Sequence, residues 1–206
     1  MNVSAQGAAG RRERTERERA GIIRAAHRLI GRGGGPTAIE DILRAAGVNR
    51  RTFYRHFPSK DALVLAMQRE AGDLVRDRLR AAVDGAPDGR AAVIAWIEEF
   101  LAIGWHEHRA REGRTFLTPE VGLVAGIADA LEDIHACHRQ LLADTFRRAR
   151  QDGTLPGAVP ERDAFAMHAV ALRCLEMRAR ARLNRPYATV RDEIVQTFVP
   201  GARSER

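Results

Sequence analysis

The chain has 206 residues, and its 45% of apolar residues can form a hydrophobic core, which excludes a wholly disordered protein. Its charge is uneven: residues 1–80 hold 17 basic and 9 acidic side chains (+8), whereas residues 81–206 hold 17 and 18 (−1). This asymmetry favours a polyanion-binding module followed by a neutral one, although a solvated basic surface would give the same counts.

The distribution of charge along the chain also bears on where the protein acts. No uncharged stretch exceeds ten residues, which argues against a membrane-spanning helix or the apolar core of a signal peptide. The two cysteines, Cys137 and Cys174, lack CxxC spacing and lie in helical patterns. We therefore expect reduced, buried thiols in a cytoplasmic protein that has no membrane partner.

The first 80 residues predict four helices after a flexible arm over residues 1–11. The first helix is expected to begin at Thr15, where T-E-R-E has the pattern of a capping box, and to end at three glycines. A second capping box, T-A-I-E, opens the next helix at Thr37, and Gly47 is suited to end it in a left-handed turn. Asn49 caps a short third helix and Ser59 a fourth.

The remaining 126 positions also have helical periodicity, with helices expected at about 90–108, 125–151, 161–183 and 187–199. The turn-rich segment DGAPDG, residues 84–89, lies close to the predicted domain boundary. No convincing period-two alternation occurs anywhere. The sequence thus predicts an all-α protein with an N-terminal domain over residues 12–80 and a second helical domain over residues 81–206.

The segment VNRRTFYRHFPSKDAL, residues 48–63, carries the clearest functional pattern. Two helices joined by a short glycine-containing turn, the second short and polar on one side, describe a helix-turn-helix at about residues 38–57. Phe53 and Phe57 would fix the second helix to the core. Arginine can bond guanine O6 and N7 together, while hydroxyl groups and lysine can bond phosphates. The candidate DNA-binding residues are Thr37, Asn49, Arg50, Arg51, Thr52, Tyr54, His56 and Lys60.

By periodicity alone, an ordinary three-helix packing unit would fit equally well, but the motifs are more specific. Thr37, the A-G-V turn at 46–48, T-F-Y at 52–54, F-P-S-K at 57–60 and Leu63 together resemble the N-terminal module of tetracycline-repressor (TetR) family regulators. The resemblance covers residues 15–76. One departure is Leu43, where the family usually has alanine, and another is the Gly-Gly-Gly loop at 33–35.

The resemblance implies a homodimeric transcriptional repressor that binds a palindromic double-stranded DNA operator. It also implies that residues 81–206 form a helical ligand-binding and dimerisation domain, where an unknown small-molecule effector would release the DNA. The alternative is an architectural DNA-binding protein that has no effector.

Within the second domain, aromatic and apolar positions suggest an effector pocket, although most of them could simply fill the core. The candidate pocket residues are Trp96, Phe100, Ile103, Phe116, Val121, Ile134, His138 and Leu141. Residues 165–177 are apolar around much of their helix, which requires burial on more than one side. A buried central helix in a monomer is the alternative to the predicted dimer interface, which comprises Phe165, His168, Leu172, Leu175, Val190, Ile194 and Phe198.

Other chemistry is less well supported by the sequence. His135 and His138 have the i, i+3 spacing that a metal site can use, with Cys137 between them, but no H-E-x-x-H motif accompanies them. We find no G-x-S-x-G, P-loop or dinucleotide-binding motif. The sequence therefore predicts no metal site, no cofactor and no enzymatic activity.

Overall fold

The computed structural model describes residues 3–30, 37–106 and 123–200. Within these ranges the chain forms eight α-helices and no β-strand, which confirms the all-α prediction. None of these helices is long and apolar enough to cross a membrane. The helices are α1 (Val3–Ile30), α2 (Ile39–Ala46), α3 (Arg50–His56), α4 (Lys60–Asp84), α5 (Gly89–Trp105), α6 (Ile127–Gln151), α7 (Pro160–Ala179) and α8 (Tyr187–Phe198).

Short-range signals set the ends of α2, α3 and α4 as predicted. Gly47 follows α2 with φ +66°, the left-handed conformation that glycine adopts without steric cost. The side chain of Asn49 accepts a hydrogen bond from the Thr52 N–H at 2.8 Å and so caps α3. Ser59 Oγ caps α4 by accepting from the Ala62 N–H at 3.0 Å.

Two predicted capping boxes are wrong. The first helix begins at Val3, so Thr15 lies inside it and residues 3–11 are helical rather than a flexible arm. The arginines and glutamates of residues 11–19 are good helix formers, so the helix continues through Thr15 without a cap there. The second helix begins at Ile39 with Ala38 as its N-cap and no side-chain cap. Glu40, the expected capping partner of Thr37, forms an ion pair with Arg50 instead.

The N-terminal core is formed by α1 to α3 and the first half of α4, and the start of α6 closes it with Ile127. Ile22, Ile42, Phe53 and Leu63 are fully buried in it. Leu43 also packs there at 9% exposure, so the leucine that departs from the family pattern is accommodated as a core residue.

The C-terminal core is formed by the second half of α4 together with α5 to α8. Trp96, Phe146 and Met167 are fully buried in it, and Leu79 of α4 joins them. Because α4 contributes Leu63 to one core and Leu79 to the other, it runs unbroken through the predicted boundary at position 80. Helix α6 likewise contributes residues to both cores.

Residues 85–88 form a fixed turn between α4 and α5. The Asp88 side chain caps α5 by accepting from the Ala91 N–H at 2.7 Å. The Gly89 N–H donates to Asp152 Oδ2, also at 2.7 Å, which ties this turn to the end of α6.

The prediction of two buried thiols is wrong. Cys137 is exposed and Cys174 is half-buried, because each lies on a flank of its helix while the apolar side packs inward. Burial nevertheless raises the pKa of the Cys174 thiol.

Candidate nucleic-acid interface

Helix α3 is held on the protein by one aromatic face. Phe53 is fully buried and Phe57 is 3% exposed, and their ring centroids lie 5.8 Å apart. Arg19 of α1 covers the Phe57 ring, with its guanidinium carbon 5.6 Å from the ring centroid. These contacts fix the rotation of α3 about its own axis and so determine which residues face outward.

The outward face of α3 carries Arg50, Arg51 and Tyr54, all exposed. Tyr54 is 46% exposed and packs edge-on against Phe53 at a centroid distance of 5.3 Å, which leaves its hydroxyl end toward solvent. Arg50 forms an ion pair with Glu40 of α2. The face thus presents two cations and an aromatic ring on a rigid helix, a combination suited to a polyanion.

Three other candidates border this face in more restricted positions. Thr52 and Lys60 are half-buried, as is Thr37 just before α2. Asn49 is exposed, but its side-chain oxygen is engaged in capping α3. Its amide N–H groups are donors that the cap does not use.

His56, another predicted DNA-binding residue, does not lie on the outward face of α3. Its side chain is only 4% exposed, and Nε2 lies 3.2 Å from Glu18 Oε2 on α1. Position 56 is two residues past Tyr54 on a helix of 3.6 residues per turn, which turns it toward α1.

Glu18 is a structural residue that no local sequence motif marks. It forms an ion pair with Arg55 as well as its contact with His56, so it ties α3 to α1 at two points. The hydrogen bond to His56 is the largest influence that lowers the pKa of Glu18, while desolvation opposes it and Arg14 and Arg55 add to it. Partners 37 and 38 positions apart give no signal in a short motif.

The predicted effector-pocket residues are partly brought together. Trp96 stacks on Phe100 with centroids 4.8 Å apart, and Leu141 and His138 are buried in the same domain. Trp96 and Phe100 thus pack against each other in the core. Ile103 and Ile134 are half-buried, while Phe116 and Val121 lie outside the described residues.

A cleft of about 220 Å³ opens between α4 and α6. Ile134 and His138 border it, which places two of the predicted pocket residues at a cavity. The other lining residues are Arg69, Gly72, Asp73, Arg76, Ala130, Asp133 and Cys137.

The predicted dimer interface needs correction at four positions. His168, Leu175, Val190 and Ile194 are buried inside one chain, at 2–7% exposure, so they are unavailable to a partner. Their stripes face the chain's own core because α7 packs on α5 and α6.

The apolar surface that α7 does present lies on its other side. Phe165 is 64% exposed and Val170 44% exposed, with Ala169 exposed between them. Leu172 is half-buried, as is Phe198 of α8. Periodicity marked α7 as apolar on more than one side, but it could not tell which side faced the core.

A family model matches the part of the chain that contains α2 and α3. Residues 22–67 match the family model of bacterial regulatory proteins of the tetR family. No curated protein matches the chain.

Several solved structures share its fold. A protein from Mesorhizobium loti described as a TetR-family transcriptional regulator is 18% identical, with 90% of this chain and 96% of that chain covered and a TM-score of 0.73. The regulator FadR from Bacillus subtilis, in complex with stearoyl-CoA, is 14% identical, with 89% and 99% covered and a TM-score of 0.72. AibR, in complex with isovaleryl coenzyme A and operator DNA, is 19% identical, with 89% and 98% covered and a TM-score of 0.63.

Proposed function

The chain is a member of the TetR family of bacterial regulatory proteins by its N-terminal domain, and we propose that it is a sequence-specific transcriptional repressor of the cytoplasm. The observation that supports this most directly is the exposed face of α3. Arg51 and Tyr54 point outward there while Phe53 is buried beneath them. A short helix fixed in this way can enter the major groove with its N-terminal end against the base edges.

The residues of this face would divide the work of recognition. Arg50 and Arg51, at the start of α3, are positioned to read base edges, where the bidentate bond to guanine discriminates by roughly 1–3 kcal/mol. Thr52, Tyr54, Lys60 and Asn49 would bond phosphates and set the register. In this proposal Thr37 adds a hydroxyl donor ahead of the N-terminus of α2, a position that favours phosphate binding.

A homodimer would present two such helices to a palindromic operator, with half-sites about 34 Å apart along the duplex. The exposed strip of α7, formed by Phe165, Ala169 and Val170 with Leu172 at its edge, is our candidate interface. Exposed apolar side chains of this size on consecutive turns are typical of a surface that a partner covers.

The second domain would receive a small-molecule effector. FadR and AibR, similar in fold, are seen with acyl-coenzyme A molecules, and AibR also with operator DNA. In this chain the cleft between α4 and α6 is the candidate entrance. An effector that binds one arrangement of α4 better than another would shift the separation of the two α3 helices, because α4 joins both cores.

The test is a footprint of the purified protein on its own genomic DNA, including the region upstream of its gene, at about 0.15 M salt, where weak non-specific contacts are suppressed. We expect a short protected palindrome, which the double variant Arg50→Ala/Arg51→Ala should fail to protect. Uniform, salt-sensitive coverage would favour the alternative, an architectural DNA-binding protein. No protection under any condition would contradict a DNA-binding function.

A further inference from the structure

Three histidines from two helices meet inside the C-terminal domain. His135 and His138 lie on α6 and His168 on α7, and one ring nitrogen from each lies within 4.8 Å of the other two. His138 and His168 are 3% and 2% exposed, and His135 is half-buried. The sequence predicted no metal site, because it could not show that His168 joins the pair on α6.

One nitrogen of each ring is buried without a hydrogen-bond partner among the described residues. These atoms are Nδ1 of His135, Nδ1 of His138 and Nε2 of His168. Buried polar atoms are rarely left unpaired, since they have given up their bonds to water. Unpaired nitrogens on three neighbouring rings are therefore available to bind a ligand.

The hydrogen bonding of His138 fixes which of its nitrogens is free. Nε2 lies 3.2 Å from the carbonyl oxygen of Gly72 on α4. A carbonyl oxygen only accepts, so Nε2 carries the proton and Nδ1 keeps its lone pair. A histidine that binds a metal through one nitrogen usually donates the other N–H to a carbonyl or carboxylate.

The three rings are in the protonation state that a metal requires. Burial is the largest cause of the lowered pKa values of two of these residues. It lowers the pKa of His138 to about 4 and the pKa of His168 to about 3. Burial likewise lowers the pKa of His135. All three are therefore neutral near pH 7, so no proton competes strongly for their lone pairs.

The surrounding charges are mixed. Glu132 and Glu176 favour positive charge at His135, and Asp73 favours it at His138, whereas Arg139 and Arg76 oppose it. Arg139 forms an ion pair with Glu132 at 2.6 Å, which partly neutralises both groups. The acidic groups offset the cost of bringing a cation to this place, but they do not themselves complete its ligand set.

We propose that His135, His138 and His168 bind one divalent transition-metal ion of the zinc type, with a fourth coordination position open to water or a small ligand. Imidazole suits Zn²⁺ and its neighbours, and three protein ligands with one open position are a common arrangement. The inference deepens the proposed function, since His138 also borders the cleft proposed as the effector entrance.

Binding would tighten the cluster. Nitrogens bound to one zinc at about 2.0–2.1 Å stand roughly 3.4 Å apart, so the widest pair here would approach by at most about 1.4 Å. This movement would draw α6 and α7 together. It would also act on α4, because His138 holds the Gly72 carbonyl.

The experiment uses the full chain, stripped with a chelator and titrated with Zn²⁺ and, separately, with Co²⁺, whose visible absorption reports its ligands. We expect one tightly bound ion per chain and a thermal midpoint that rises with metal concentration. His135→Gln and His168→Gln should each weaken metal binding by at least about 100-fold. Loss of a residue that only hydrogen-bonds to a metal ligand already weakens binding by about 10- to 100-fold, and these two histidines would bind the metal directly. His106→Gln changes an exposed histidine outside the cluster and should bind as the unchanged chain does.

Circular dichroism verifies that each variant is folded. Should His168→Gln fail to fold, the half-buried His135 still decides the question. Undiminished binding in His135→Gln, or no ion bound by the unchanged chain, would overturn the proposal. The metal titration contains no DNA, so its result is independent of the footprint. A chain that binds metal but protects no DNA would contradict only the proposed function. A chain that protects DNA but binds no metal would contradict only the metal site.

Discussion

At the scale of single residues, Arg50 and Arg51 are neighbours in sequence but lie in different surroundings. Arg50 is held by the carboxylate of Glu40, so it must exchange that partner for a base or a phosphate when DNA arrives. An exposed ion pair of this kind contributes little to stability. The main consequence of the ion pair is that the binding free energy Arg50 gains from DNA is partly offset by the loss of its interaction with Glu40.

We therefore expect Arg51→Ala to reduce discrimination between the operator and random DNA by about 1–3 kcal/mol, or roughly 5- to 150-fold. Arg50→Ala should act in the same direction with a smaller loss. Fluorescence anisotropy on the footprinted site and on a scrambled duplex measures both. Equal losses on the two duplexes would show that these arginines contact phosphates rather than bases.

Lys60, at the start of α4, should behave differently. A lysine that pairs with one phosphate adds affinity without sequence preference, and it releases about one counterion. We expect Lys60→Ala to weaken binding to operator and random DNA alike and to lower the slope of log affinity against log salt by about 0.9. A change confined to the operator would assign Lys60 to base recognition.

What could be predicted at the residue scale depended on the distance between partners. Asn49 and Ser59 were identified as caps because each accepts from a backbone N–H three positions ahead. The inward position of His56 was not predictable, because its partner Glu18 lies 38 positions away on α1. For the same reason His168 was not joined to the histidines of α6. Local chemistry can be read from the chain, whereas contacts between helices require the fold.

At the scale of the elements, the close approach of α5 and α6 depends on the absence of a side chain at position 89. A Cβ added to Gly89 would lie 2.2 Å from Ala149 Cα and 2.4 Å from its nitrogen, both backbone atoms of α6. No side-chain rotation can relieve such a contact. The two helices would have to separate, and the bond from the Gly89 N–H to Asp152 would be strained.

We expect Gly89→Ala to lower the free energy of unfolding by about 1–3 kcal/mol or more, the usual effect of overpacking. Gly21→Ala is the matched control, because the added Cβ on α1 meets nothing within 4 Å. That change should stabilise the protein by up to about 1 kcal/mol through helix propensity. Urea unfolding followed by circular dichroism measures both changes. Equal stability of the two variants would contradict the tight crossing.

Helix positions were predictable because periodicity and the Gly and Pro signals are local. The linker at 84–89, the loop after α6 and the break before α8 all lie close to their expected positions. The start of α1 was not predictable from Thr15, since a capping-box pattern can occur in the middle of a helix. The buried side of α7 was equally indeterminate, because apolar residues occupy both the side that meets the core and the side bearing Phe165.

At the scale of the whole molecule, the two cores share α4, and the C-terminal core encloses buried histidines whose charge state changes with pH. His138 lies near Arg76 and Asp73, and His168 lies near His135 and Arg139. Burial lowers the pKa of both below the ordinary value of 6.5, to about 4 and about 3. Between these values and 6.5 the unfolded chain binds protons that the folded chain does not, so stability falls as pH falls.

We expect the free energy of unfolding to drop by about 4 kcal/mol between pH 7 and pH 5, roughly 2 kcal/mol for each of His138 and His168. Urea unfolding at a series of pH values, with chelator present, measures this. His168→Gln should remove about half of the slope. Glu18 does not interfere, since its pKa is lowered below 4.5 and its contribution is lost only at lower pH. A stability that is flat from pH 7 to pH 5 would mean that these imidazoles are not buried in the folded protein.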